Sequence, residues 1–152
     1  MKLSAKGLAL IKEFEKLRLH PYLDIAGIPT IGYGTTVYAN GKHVTMGDPA
    51  ITEAMADAQI LTKVGDVADA VSAMIPPGLT QNQFDALVSF AYNVGTGALH
   101  GSTALRLIKA NPKDPGIRAA LAMWNKVHVD GKLKVSKGLT DRREKEADLY
   151  FS

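Results

Sequence analysis

Between Pro21 and Gly47 the chain meets Pro21, Gly27, Pro29, Gly32, Gly34, Gly41 and Gly47, a density of helix breakers that confines this stretch to short strands and turns. The next segment has a different period. From Thr52 apolar residues recur every three or four positions, at Ile60, Leu61, Val64, Val67, Ala68, Val71, Met74 and Ile75, until Pro76-Pro77-Gly78 stops them. The expected fold class is therefore α+β, mainly α, with a small N-terminal β-containing lobe. Ala26-Gly27 and Asn40-Gly41 are the expected turns, and Asn-Gly suits a tight hairpin because both residues tolerate positive φ.

Ahead of the breakers, Ser4 is placed to cap a helix over Ala5 to Glu15. Leu3, Gly7, Leu10, Ile11, Phe14 and Leu17 form its apolar stripe, with Glu15 beside the edge. The run from Thr52 to Ile75 predicts a helix on the order of 35 Å long, enough to join two lobes, although Gly65 weakens it. Thr80 and Gln83 form a capping box, Leu79 and Phe84 a hydrophobic staple, and Gly95 a stop. A short helix is expected from Thr103 to Ala110, and another from Asp114-Pro115 that carries Ile117, Leu121 and Trp124 inward. Val127 to Val135 reads as a hairpin or ordered loop around Asp130-Gly131. A last helix capped by Thr140 buries Ala147, Tyr150 and Phe151. The expected organisation is one domain over 1–152, with a β-containing lobe at about 16–50, a connecting helix at about 52–75 and a helical lobe at about 79–152.

The whole 152-residue chain is long enough for a proper core, with 46% apolar and 22% charged residues. A formal net charge of +3 gives a weak pull toward anionic polymers or surfaces. No Lys/Arg run suggests a nucleic-acid arm. With no cysteine the fold needs neither a disulfide nor a thiolate metal site. His20, His43, His100 and His128 lack metal-ligand spacing, so no cofactor is expected. The opening MKLSAKGLALIKEFEK has an apolar segment broken by Lys12 and Glu13, which reads as an amphipathic helix, not a secretion signal, and no later stretch is apolar enough to span a membrane. Synthesis in the cytoplasm is the expectation.

Glu15, Asp24 and Thr30 put two acids and a hydroxyl on elements that must pack together. Two carboxylates in unlike surroundings can cleave an acetal: one, kept protonated by burial, donates to the leaving oxygen while the other activates water. Glu15 at the rim of an apolar stripe suits the first role, Asp24 in a turn-rich stretch the second, and Thr30 could hold the water. Each residue also has a plain reading: a helix-end glutamate in solvent, an aspartate serving a turn, a threonine chosen for its β-propensity. Spacing alone does not separate the two.

The pattern as a whole does. Glu15, eight residues, Asp24, five residues, then Thr30-Ile31-Gly32-Tyr33-Gly34 resembles the phage-type lysozymes, the endolysin glycosidases of bacteriophages and prophages. The likeness continues at Leu79 to Phe90, at Asn93-Val94-Gly95, at Gly101-Ser102-Thr103, at Trp124-Asn125, and at Gly138-Leu139-Thr140-Asp141-Arg142-Arg143 with Glu146. It implies a lysozyme-like two-lobed fold and hydrolysis of the β-1,4 bond between N-acetylmuramic acid and N-acetylglucosamine in peptidoglycan. Glu15 would be the general acid, Asp24 the second catalytic residue and Thr30 the third member. The resemblance favours inversion of configuration, and a separate holin-like partner to release a monomeric enzyme from the host cytoplasm to the wall.

The chain departs from several members at Thr35-Thr36, where they carry a histidine. Tyr92, Asn93, Ser102, Thr103 and Asn125 lie at helix ends and loop edges of the helical lobe, where they could bond the glycan. Each has a structural alternative: Ser102 or Thr103 a cap, Asn125 a helix-end residue, Tyr92 core. In relatives a C-terminal arginine reaches the acid, which gives Arg142 or Arg143 that role, whereas helical spacing also pairs them with Glu146 or Asp141. Two other functions fit the same pattern. A lytic transglycosylase would need only one acid, and a non-catalytic peptidoglycan-binding protein would leave the intact trio unexplained.

Overall fold

A computed structural model describes the chain from Met1 to Ser152. Its elements are α1 (Ala5–Glu15), β1 (Arg18–Leu23), β2 (Pro29–Gly32), α2 (Glu53–Met74), α3 (Gln81–Val94), α4 (Thr96–His100), α5 (Thr103–Ala110), α6 (Gly116–Ala122), β3 (Lys126–Val129), β4 (Lys132–Val135) and α7 (Lys137–Tyr150). Seven helices and two separate antiparallel pairs, β1–β2 and β3–β4, make a mainly helical α+β fold. The chain forms two compact units, Ala9–Asp66 and Met1–Leu8 with Val67–Ser152, so that the divisions fall inside α1 and α2. No helix is long and apolar enough to cross a membrane.

In the Ala9–Asp66 unit, Ile11, Ile31, Val44, Ile51, Ala56, Ile60 and Val64 are buried. The β1–β2 register pairs Arg18 with Gly32, Tyr22 with Thr30 and Leu23 with Pro29, and it shifts between Arg18 and Tyr22. Pro21 lies in that shift and has no N–H to give a regular ladder. Past β2 the chain makes single bridges, Ile31 to Thr35 and Val37 to His43. The Asn40-Gly41 turn forms differently from expectation, because only Gly41 takes positive φ. Asn40 instead turns its Oδ1 to the Lys42 amide at 2.9 Å, an aspartate-like side-chain turn that holds it on the ordinary side of φ space.

The other unit is centred on α3, buried from Phe84 to Tyr92 and lying against α7. Its capping box forms as expected: Thr80 Oγ1 accepts the Gln83 amide at 3.1 Å and Gln83 Oε1 accepts the Thr80 amide at 2.9 Å. Gly95, at φ 99, ends α3 and opens the short α4, which apolar periodicity did not reveal in five residues. On α7, Glu146 is fully buried among the Arg142 Nε at 3.1 Å, the Arg143 Nε at 2.8 Å and the Ser89 hydroxyl at 2.7 Å. Burial pushes its carboxyl upward, while Arg143, Arg142 and Ser89 pull the other way. The N-terminus is tied down at Asp85, which accepts the Ser4 backbone amide at 3.0 Å, the Ser4 hydroxyl and the Gln81 side-chain Nε2 at 2.8 Å. A Cβ on Gly7 would lie 2.7 Å from the Asp85 carboxyl carbon, so this approach requires glycine.

Three expectations in this unit are corrected. α6 stops at Ala122, so Trp124 lies beyond it, 36% exposed, edge-on to Phe90 at 6.0 Å and outside the core. α7 begins at Lys137 under Ser136, whose Oγ accepts the Leu139 amide at 3.2 Å; Thr140 sits one turn in and donates to the Ser136 carbonyl. Phe151 falls past the end of α7 and is exposed.

Candidate active site

Glu15 is the last residue of α1, and the helix ends there because Lys16 adopts a left-handed conformation, φ 50, that turns the chain into β1. The half-buried carboxylate lies over the Gly34 backbone: a Cβ built on Gly34 would stand 3.2 Å from Glu15 Oε2. Gly34 has φ +89, so both its conformation and its neighbour call for glycine. One turn earlier on α1, Lys12 Nζ bonds Asp57 of α2 at 2.8 Å and lies 5.3 Å from the centre of the Tyr33 ring. The bond to Asp57 raises the lysine's pKa and fixes α1 to α2 inside this unit.

Asp24 does serve a turn. Its Oδ1 accepts the amides of Ala26 and Ile28, both at 2.9 Å, while its own N–H donates to the Ile28 carbonyl at 3.0 Å. Thr30 is buried on β2, and its hydroxyl donates to that same Ile28 carbonyl at 2.8 Å. One residue's backbone thus joins the two side chains. Oδ2 of Asp24 takes no part in the turn, and the Thr30 oxygen, its proton already engaged, has lone pairs left only for accepting.

Tyr22 is a member of this group that sequence reasoning missed. It stands opposite Thr30 in the register, which puts both side chains on one face of the hairpin. Arg18 covers its ring at 4.8 Å. Burial pushes the phenol upward, Arg18 opposes, and the charges of Glu15 and Asp24 add to the rise, so the phenol feels both carboxylates. A signal was present: counting outward from a turn centred on Ala26 pairs residue 22 with residue 30.

Gly34 also begins a groove of about 510 Å³ within the same unit, walled by Thr36 and Tyr38 on one side and by Gln59, Lys63 and Asp66 of α2 on the other. The five suggested glycan contacts all lie in the helical unit. Asn93 is exposed at the end of α3 and lines a groove of about 420 Å³ with Trp124. Ser102 is a buried cap of α5, accepting the Leu105 amide at 3.0 Å and donating to the Leu99 carbonyl at 2.8 Å. Thr103 is exposed beside it, and the two line a groove of about 340 Å³ with His100, Arg106 and Lys109. Tyr92 is buried on α3. Asn125, half-buried, donates to the Thr140 hydroxyl at 3.1 Å. No group of three or more His, Cys, Asp or Glu is placed to hold a metal ion.

Residues 12–146 match the phage lysozyme family. The chain belongs to that family. This phage lysozyme is 39% identical over its whole length to the endolysin of Acyrthosiphon pisum secondary endosymbiont phage 1, of which it covers 99%. Among solved structures it resembles an endolysin from Escherichia coli O157:H7 phage FAHEc1, at 47% identity and a TM-score of 0.91, covering 99% of this chain and 93% of that one. It also resembles a mutant P22 lysozyme, at 34% identity and a TM-score of 0.81, covering 100% and 99%. As a phage lysozyme the chain is a glycoside hydrolase, an endolysin of the muramidase kind.

Proposed function

We propose that this phage lysozyme hydrolyses the β-1,4 bond between N-acetylmuramic acid and N-acetylglucosamine in bacterial peptidoglycan, with Glu15 as general acid and Asp24 and Thr30 directing water. The supporting observation is the shared Ile28 residue: both side chains are held by local bonds, and each keeps one group for a water molecule. Glu15 gives its proton to the leaving sugar oxygen as the glycosidic bond breaks. A water that donates one hydrogen to Thr30 Oγ1 and passes the other to Asp24 Oδ2 attacks the anomeric carbon from the opposite face. The product sugar is inverted, and the two carboxyls exchange protonation states.

In the helical unit, Asn93, Thr103, Tyr92 and Asn125 bond N-acetyl groups or hydroxyls of the glycan. Ser102, whose hydroxyl caps α5 at the Leu105 amide and donates to the Leu99 carbonyl of α4, acts by holding the start of α5, where Thr103 sits. The enzyme works as a monomer on the wall of the host cell and reaches it with a separate membrane-permeabilising protein, a part of the reading carried by family likeness alone.

The test is Glu15→Gln on purified peptidoglycan. Release of new reducing ends falls about 10²- to 10⁴-fold, the range a positioned acid contributes, with an unchanged thermal midpoint. Near-normal turnover by the variant would remove Glu15 from this role. Mass spectrometry of wild-type products decides between hydrolysis and transglycosylation, whose 1,6-anhydro products are lighter by one water.

A further inference from the structure

We propose that the groove of about 510 Å³ walled by α2 and the chain after Gly34 is a subsite for the acetamido group of an N-acetyl sugar, read by Gln59 and Thr62. The inference rests on the glycan reading above and names the group of the strand that binds there. Gln59 supplies the first observation. Its Oε1 is buried without a hydrogen-bond partner, and a Cβ built on Gly32 would stand 2.8 Å from it, in a place shared with the side chains of Ile51 and Ala56. A buried acceptor without a partner opposes folding, and leucine, of similar volume, would not. The fold therefore does not explain a glutamine at this position. Its carboxamide has a second end: with Oε1 turned inward, Nε2 is left as a donor for the groove that Gln59 lines.

Thr62, three residues further on and so on the same face of α2, donates its hydroxyl to the Ala58 carbonyl at 3.1 Å and keeps lone pairs for accepting. One donor and one acceptor thus stand side by side. An acetamido group offers the complement, a carbonyl for Gln59 and an N–H for Thr62. Its methyl meets an apolar wall: Val37 is 43% exposed, Ala39 and Ala58 are exposed, and all three line the groove. Tyr38, whose hydroxyl is committed to Asp48 at 2.8 Å, presents a fixed ring beside them. Lys63 and Asp66 are the charged residues of the lining, and they cancel, so the groove favours a neutral ligand over an anionic polymer. Its volume falls within the roughly 300–1,000 Å³ of small-ligand sites. Gly34 belongs both to this groove and to the backbone beneath Glu15 Oε2, so a sugar held here lies on the strand that Glu15 protonates.

The test follows kcat and KM of the full chain on intact peptidoglycan and on glycan strands freed of their stem peptides by an amidase. Gln59→Leu raises KM about fivefold on both, the worth of one hydrogen bond, and leaves kcat unchanged, because the contact is equal in the ground and transition states. Its melting temperature stays the same or rises. Ala58→Phe, at an exposed position where a larger side chain fills the groove, raises KM by more than Gln59→Leu does. Unchanged KM in both variants overturns the proposal. A lowered melting temperature for Gln59→Leu also overturns it, since the carboxamide would then serve the fold. An effect on KM that is present with intact peptidoglycan and vanishes on the bare strand overturns it in favour of a stem-peptide site. Near-normal turnover by Glu15→Gln, with the Gln59→Leu effect intact, would remove Glu15 from its role and still support this subsite.

Discussion

In the β1–β2 hairpin one carboxylate oxygen of Asp24 accepts the amides of Ala26 and Ile28, Thr30 donates to the Ile28 carbonyl, and the register shifts near Pro21. In β3–β4 the pairing runs unbroken from Lys126 opposite Val135 to Val129 opposite Lys132, and the turn is made by Asp130 and Gly131 at φ 51 and 76. The second hairpin is closed by backbone alone, so its outward side chains take no part in the closure. The first uses polar side chains for its own closure, and this holds them in one orientation, as a group that must meet a reacting atom requires.

The largest effect that breaks this contrast is expected at Asp24. Asp24→Asn keeps an acceptor oxygen for Ala26 and Ile28 but removes the charge, so peptidoglycan hydrolysis falls on the order of 10²-fold or more while the melting temperature barely moves. Asp24→Ala loses both and destabilises by about 1–2 kcal/mol in addition. If the asparagine variant melted as early as the alanine variant, the turn would depend on charge, and the division of roles between Oδ1 and Oδ2 would be wrong.

A second pair of substitutions applies one backbone change to both regions. Gly34 and Gly131 have φ +89 and +76, and alanine in the left-handed region costs each about 1–2 kcal/mol. Nothing lies within 4 Å of a Cβ on Gly131, so Gly131→Ala should lower stability and leave hydrolysis alone. The same atom on Gly34 would press on Glu15 Oε2 from 3.2 Å, and turnover should fall a further tenfold or so by displacing the acid. Melting curves and kcat measured side by side separate the two; equal losses of activity would mean that Gly34 acts only through stability.

Legibility in the sequence divides along the same line. Elements bounded by strong local signals were readable: Ala5–Glu15 from its stripe, Gln81–Val94 from the Thr80 box, and the Asp130-Gly131 hairpin from its turn. Misplaced boundaries occurred where two residues competed for one role. Ser136 took the cap of α7 that Thr140 also suited, and a break at Met123 turned Trp124 out of a helix whose spacing would have buried it. In the site, residue types and spacing put Glu15, Asp24 and Thr30 forward as candidates and the family resemblance joined them into a set, but a sequence does not show that a single backbone residue, Ile28, links the last two. Tyr22 was overlooked because its role depends on its cross-strand pairing with Thr30, which residue type and spacing along the chain do not display.

The smallest effect concerns a second side-chain closure, past β2 in the same Ala9–Asp66 unit as the first hairpin. Tyr38 donates to Asp48 Oδ2 at 2.8 Å, and Thr45 donates its amide to the same oxygen at 2.9 Å and its hydroxyl to Oδ1 at 2.6 Å. The Thr45 hydroxyl first, then its amide and the Tyr38 phenol, hold Asp48 below the usual carboxylate range. Burial first, then the Asp48 bond, pushes Tyr38 up to about 12. A depressed carboxylate contributes stability that is present above its ordinary pKa and lost as pH falls through the lowered one; a raised phenol contributes stability present below its ordinary value and lost as pH rises toward 12. Amide exchange at Thr45 should therefore accelerate in acid below about pH 4 and again above about pH 10, with the Gly131 turn as the internal reference. Tyr38→Phe should abolish the alkaline arm and spare the acid one, because Thr45 still holds Asp48. Asp48→Asn should lower the tyrosine's titration without returning it to the ordinary value, since burial is the larger cause; a full return would make the hydrogen bond, and not desolvation, the source of the shift.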